Sequence, residues 1–115
     1  MITHITTAAA WAAAQPTGQY TADSLASEGF IHCSTIAQLL GTANGIFRGQ
    51  HGLVVLLIDE AQVPAEIIYE DCYETGMAFP HIYGVLPTAA VTQTLDFPCD
   101  EHGLFHLPAA LATIP

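Results

Sequence analysis

The chain changes its hydrophobic period several times, and each change marks an element. Residues 2–6 are mostly β-branched, which predicts a short strand with His4 at its centre. Thr7 is placed to cap an alanine-rich helix over residues 8–15, with Trp11 as its large anchor and Pro16 and Gly18 as its stop. Residues 18–27 hold only Tyr20 and Leu25 as bulky apolar positions, and predict a loop with a short extended piece. The stretch 29–35, GFIHCST, reads as a short strand running into a helix. Alternation sets Ile31 and Cys33 on one face and Phe30, His32 and Ser34 on the other. Thr35 and Gln38 have the spacing of a capping box. Ile36, Leu39, Leu40, Ala43 and Phe47 recur at helical spacing, which predicts an amphipathic helix over residues 35–47.

Gly49 and Gly52 bracket a turn. The unbroken apolar run Leu53–Ile58 predicts a central strand buried on both faces, and Asp59 caps one helical turn that ends before Pro64. Residues 66–73 alternate, with Ile67, Tyr69, Asp71 and Tyr73 opposed to Ile68, Glu70 and Cys72. Residues 74–80 form a loop long enough to close over a ligand. A further strand is predicted over 81–86, and Pro87 opens a turn. Residues 91–97 alternate with Val91, Leu95 and Phe97 facing in, and a last extended piece falls near 104–107. The sum is a single α+β domain over residues 1–115, two helices near its N-terminus followed by mostly antiparallel strands.

Composition narrows the partners. Apolar residues make up 51% of the 115, enough for a folded core and too many for disorder. No run approaches the roughly 20 apolar residues of a membrane helix, and no basic leader precedes the first strand. Cys33, Cys72 and Cys99 lack the spacing of a disulfide framework, and a cytoplasmic location is expected. Eleven acidic residues stand against one strong cation, Arg48, for a net charge of −10. Binding a nucleic-acid backbone takes several Lys or Arg residues, so neither nucleic acid nor an anionic membrane is expected as a partner. A small ligand in a cleft is compatible with this charge. One cation about 4 Å from a phosphate contributes roughly 4 kcal/mol at an effective dielectric of 20.

The six histidines invite a search for chemistry. There is no HExxH and no CxxC, and His102 and His106 sit in a proline-ended tail too short for a firm helix. His32 and Cys33, as strand neighbours, point to opposite faces, so no metal centre is expected. Ser34 lacks a GxSxG elbow and Cys33 turns away from His32, which argues against a nucleophile. A third grouping draws on separate strands: His4, His32 with Ser34, His81 with Tyr83, and Arg48. Taken singly, His4 is a satisfied strand histidine, Tyr83 a packing residue, and Arg48 a surface residue past a helix end. A histidine and a serine beside the positive end of a helix suit a polar or anionic ligand.

The segments ITHITT, ADSLASEGFIHCST, FRGQHGLVVLLID, FPHIYGVL and LDFP closely resemble a bacterial family known as domain of unknown function 952. More distantly, ITHIT, FIHCST and RGQHGLVVLLID are similar in order and spacing to RNA 2′-phosphotransferases, members of the ADP-ribosyltransferase fold. That resemblance implies an ADP-ribosyltransferase-like split antiparallel β-sheet with a cleft for NAD between its halves. His4 matches the first-strand histidine that contacts NAD, and His32 matches the histidine that frames the nicotinamide. Two departures stand out. Where the phosphotransferases have glycine after the first histidine, Ile5 is expected to crowd the approach of a nicotinamide amide to the backbone. The arginines that hold RNA phosphates are reduced to Arg48. Residues 81–83 take the place of the third motif without its acidic residue, for which Glu70 is a stand-in.

The resemblance thus implies a domain that binds NAD or a related small nucleotide and transfers ADP-ribose to a small molecule, or hydrolyses it. It assigns His32 and Tyr83 to catalysis and His4, Thr6, Ser34, Arg48 and His81 to the nucleotide. The alternative is a non-enzymatic module that keeps the fold and binds a small ligand, or a protein through the loop 71–80.

Overall fold

The computed structural model describes residues 1–72 and 74–114. Its elements run β1 (Ile2–Thr7), α1 (Ala8–Ala14), β2 (Gln19–Tyr20), α2 (Asp23–Glu28), β3 (Ile31–His32) and α3 (Leu39–Ile46). There follow β4 (Leu53–Ile58), β5 (Ile67–Glu70), β6 (Phe79–Ile82), β7 (Leu86–Pro87), β8 (Val91–Asp96) and α4 (Ala109–Ala112).

Every residue of β4 is buried, and the sheet order β1-β4-β8 explains why. Val54, Leu56 and Ile58 project to one side, into a core with Ile2, Ile31, Cys33 and Ile82. Leu53, Val55 and Leu57 project to the other, into a core with Ile5, Leu39, Ala43, Phe97 and Phe105. A strand apolar on both faces is stable only between two covering layers. Burying each such side chain contributes about 1.5–3 kcal/mol. A second antiparallel sheet, β3-β6-β5, and the short β2-β7 ladder supply the first layer. The helix α3 and the C-terminal tail supply the second. No described helix is long and apolar enough to cross a membrane.

Several expectations need correction. Between Tyr20 and Gly29 the chain forms α2 rather than a loop. Leu25 is its single large apolar residue, its N-cap Ala22 makes no side-chain bond, and Gly29 stops it at φ 88°. The helix expected over 35–47 begins as a 3-10 turn, residues Ile36–Gln38, before α3, with both bonds of the Thr35–Gln38 capping box present. The strand expected over 66–73 is the shorter β5, and Tyr73 lies outside the described residues. The strand expected over 81–86 is divided between β6 and β7, which belong to different sheets. Between them Gly84 packs where a Cβ would stand 2.7 Å from that of Ala65. The tail forms no strand near 104–107. Instead Asn44 accepts from the N–H of Phe105 at 2.7 Å and donates to its carbonyl at 3.3 Å, and α4 follows.

Candidate functional site

The two three-stranded sheets meet where Thr3 and Ser34 exchange backbone bonds of 2.7 and 2.9 Å. Continued antiparallel, that register would set Ile5 opposite His32. The strands part instead. The ring of His4 reaches across, its Nδ1 donating to the carbonyl of His32 at 2.5 Å. In an antiparallel strand alternate residues bond to alternate sides. Thr3 bonds away from β4, so Ile5, two residues on, also presents its N–H and C=O to the free edge of β1. No described backbone group pairs with them there.

A cavity of about 890 Å³ opens in this split. His4, Ile5 and Thr6 line one wall, and His32, Cys33 and Ser34 another. Ala37, Gly41, Thr42 and Ile46 of the capped helix face it, with Met77 and Phe79 from across the sheet. Gln38 ties the loop before β6 to the helix start by donating to the carbonyl of Ala78 at 2.8 Å. Asp71 shapes the same loop by accepting from the N–H groups of Thr75 and Gly76. Ile46 and Met77 stand 69% and 49% exposed, which gives the cavity an apolar rim.

Five of the seven expected site residues line the cavity: His4, Thr6, His32, Ser34 and His81. Arg48 and Tyr83 do not. Arg48 is exposed past the end of α3, against the turn at Gly103, and is not among the lining residues, although its neighbours Phe47 and Gln50 are. The hydroxyl of Tyr83 donates to Glu70 outside the cavity, and that bond pushes its pKa up to about 12. Such a phenol holds its proton near neutral pH, so it is a poor general acid or base. Glu70 also lies outside the cavity; the Tyr83 hydroxyl first, and the His81 ring second, hold its carboxyl below the usual carboxylate range.

His4 is the most constrained of these side chains. Its Nε2 lies 2.8 Å from the hydroxyl of Tyr20, which lies 2.9 Å from that of Thr6. Burial lowers the His4 pKa to about 4, so the ring is neutral at pH 7. A carbonyl can only accept, which puts the single proton on Nδ1. Nε2 is then left as the acceptor facing the Tyr20 hydroxyl. Both ring nitrogens are engaged inside the protein, so His4 acts as a strut across the split.

His32 is half-buried, and its Nε2 is 2.6 Å from Glu28 Oε2. The ring also meets Phe30 edge-on at 4.9 Å. The Ser34 hydroxyl is 2.9 Å from that of Thr42 on α3. His81 is 1% exposed and stacks on Phe30 at 4.1 Å. Ile5 corrects an expectation: its side chain projects into the second core, leaving its backbone edge uncrowded. Strand side chains leave through the faces of a sheet and backbone groups through its edges.

Sequence reasoning missed Tyr20, Glu28, Gln38 and Thr42. Tyr20 was visible as an isolated aromatic in a weak segment, and Glu28 was hidden by the unrecognised α2. It also missed the approach of Cys72 to Glu70 and His81, whose ligand atoms lie within 4.8 Å of one another. Burial keeps the Cys33 thiol firmly protonated, in agreement with its reading as a core residue.

The model of a family described as "Protein of unknown function (DUF952)" matches residues 5–94. The crystal structure of protein CC0527 from Caulobacter crescentus is similar at 33% identity, with a TM-score of 0.86 over 96% of this chain and 97% of that one. The solution NMR structure of CC0527 is similar at 33% identity, with a TM-score of 0.78 over 90% of this chain and 89% of that one. No curated protein matches the chain.

Proposed function

The chain belongs to the DUF952 family, and we propose that it binds the nicotinamide–ribose end of NAD, or a related small nucleotide, in an ADP-ribosyltransferase-like arrangement. One observation carries the reading. Ile5 offers a backbone N–H and C=O side by side on a free strand edge inside the cavity. A primary carboxamide, such as that of nicotinamide, presents the complementary acceptor and donor. The His32 ring would wall the nicotinamide. Ser34 and Thr6 would offer hydroxyls to the ribose, with His4 holding the split open. Volumes of roughly 300–1,000 Å³ are usual for such ligands, and about 890 Å³ lies within that range.

No Lys or Arg is among the residues lining the cavity. The pyrophosphate of a dinucleotide would therefore sit towards the mouth, in solvent. The reaction open to this ligand is cleavage of the nicotinamide–ribose bond through an oxocarbenium-like state, with transfer of ADP-ribose to a small molecule or to water. Asp23 is the one acidic side chain among the lining residues and would be the carboxylate to stabilise that positive charge.

A second reading, binding without chemistry, is favoured by the engagement of both His4 nitrogens and by the firmly held Tyr83 proton. Calorimetry with NAD, nicotinamide and ADP-ribose tests the first. Heat is expected with NAD and with nicotinamide, weakened at least tenfold by Gly41→Leu, a position where an added Cβ meets nothing within 4 Å. No heat at millimolar NAD with folded protein overturns it. Nicotinamide release on incubation with NAD separates catalysis from binding alone.

A further inference from the structure

Behind the cavity wall, on the β5–β6 hairpin, three different metal-binding side chains converge on one point. His81 Nδ1 is 2.9 Å from Glu70 Oε1 and 3.8 Å from Cys72 Sγ. Among the described residues this is the one group of three such ligands within 4.8 Å of one another. A nucleophile–histidine–acid relay would place the thiol and the carboxylate at opposite ring nitrogens. Here both approach the same nitrogen, which is the geometry of donors around a shared cation. We propose that Glu70, Cys72 and His81 bind one zinc-type divalent ion.

The distances suit the ion. Zinc bonds of about 2.3 Å to sulfur and about 2.0–2.1 Å to nitrogen or oxygen put tetrahedral ligands on the order of 3.3–3.6 Å apart. The observed separations of 2.9 and 3.8 Å bracket that range, and all three ligand atoms lie within 4.8 Å of one another. The ligand set is mixed thiolate, imidazole and carboxylate, which selects zinc over magnesium or calcium. Its orientation is prepared by the surroundings. Phe30 stacks on the His81 ring at an interplanar angle of 14°, and the Tyr83 hydroxyl donates to Glu70. Such outer contacts fix ligand direction. On binding, the thiol proton leaves to solvent, the imidazole proton moves to Nε2, and the metal takes the freed lone pairs. Three protein ligands leave a fourth position for water, and Cys72 is exposed, so an ion can enter from solvent. Glu70 and Cys72 lie outside the cavity, and His81 alone of the three lines it, so the metal is held at the back of that wall whether or not a nucleotide binds in front of it.

The test uses the full chain under reducing conditions, titrated with zinc by calorimetry and with cobalt(II) by absorption. One ion per chain is expected, with a thiolate-to-cobalt charge-transfer band in the near ultraviolet. Cys72→Ser, an exposed change that leaves the core untouched, should abolish the band and weaken zinc at least tenfold. Tyr83→Phe should weaken zinc by about 10-fold while keeping the band, as loss of an outer-shell partner does. Absence of the band, or zinc affinity unchanged in Cys72→Ser, overturns the proposal. Binding that is lost instead on changing His102 or His106 also overturns it.

Discussion

The hydroxyl of Tyr20 lies 2.8 Å from His4 Nε2, so two strands separated by α1 hold one neutral imidazole between them. This contact, with the bond from His4 to the His32 carbonyl, props apart two sheets that would otherwise zip together at Ile5. The cavity is thus a consequence of a side chain bonding where a backbone would.

The buried His4 gives stability a defined pH dependence. Its pKa is 6.5 in an ordinary environment and about 4 in the folded chain. Above about pH 6.5 neither state binds the proton, and the group has no effect. As pH falls from 6.5 to 4 only the unfolded chain takes it up, so stability declines, by roughly 3 kcal/mol at most. Urea midpoints across this window should fall less steeply for His4→Gln, whose amide can still donate to His32 and accept from Tyr20. Equal slopes in the two proteins would refute the assignment.

Tyr20→Phe removes the donor to His4 Nε2 and leaves a buried acceptor unmatched. A loss of about 1–3 kcal/mol is expected, with the fold retained. Chemical denaturation measures it directly, and an unchanged midpoint would mean that water replaces the hydroxyl.

His32→Ala separates a core role from a site role. The side chain is 37% exposed and its contact with Glu28 lies at the surface. Exposed pairs of this kind contribute about 0–1 kcal/mol. The variant should therefore melt within a few degrees of the parent while losing at least tenfold in affinity for nicotinamide. An unfolded variant would show that the ring belongs to the core.

Two glycines should respond in opposite directions to alanine. At Gly41 in α3 the added Cβ meets nothing within 4 Å, so Gly41→Ala should stabilise by about 0.8–1 kcal/mol through helix propensity. At Gly84 the Cβ would lie 2.7 Å from that of Ala65. Gly84→Ala should therefore cost about 1–3 kcal/mol through overpacking. Thermal melts of the two variants, compared with the parent, decide both.

Much of the fold was legible in the chain because the deciding forces are local. Thr7 caps α1 and the Thr35–Gln38 box starts the next helical segment, since a cap needs only neighbours in sequence. The run Leu53–Ile58 announced its burial because six apolar residues in succession need cover on both faces. The same legibility failed for α2 and α4, where few apolar residues face the core and no side chain caps the start. Histidines at positions 4 and 32 marked the candidate cleft, but their roles differ for reasons no spacing reveals. Tertiary structure decided that the sheet splits at Ile5, that Arg48 is left out of the cavity lining, and that Tyr83 turns to Glu70. It also brought Cys72 beside His81, nine residues away, through the fold of a hairpin. Local periodicity sets which face of an element is apolar; strand register and the convergence of distant side chains depend on how those elements pack together.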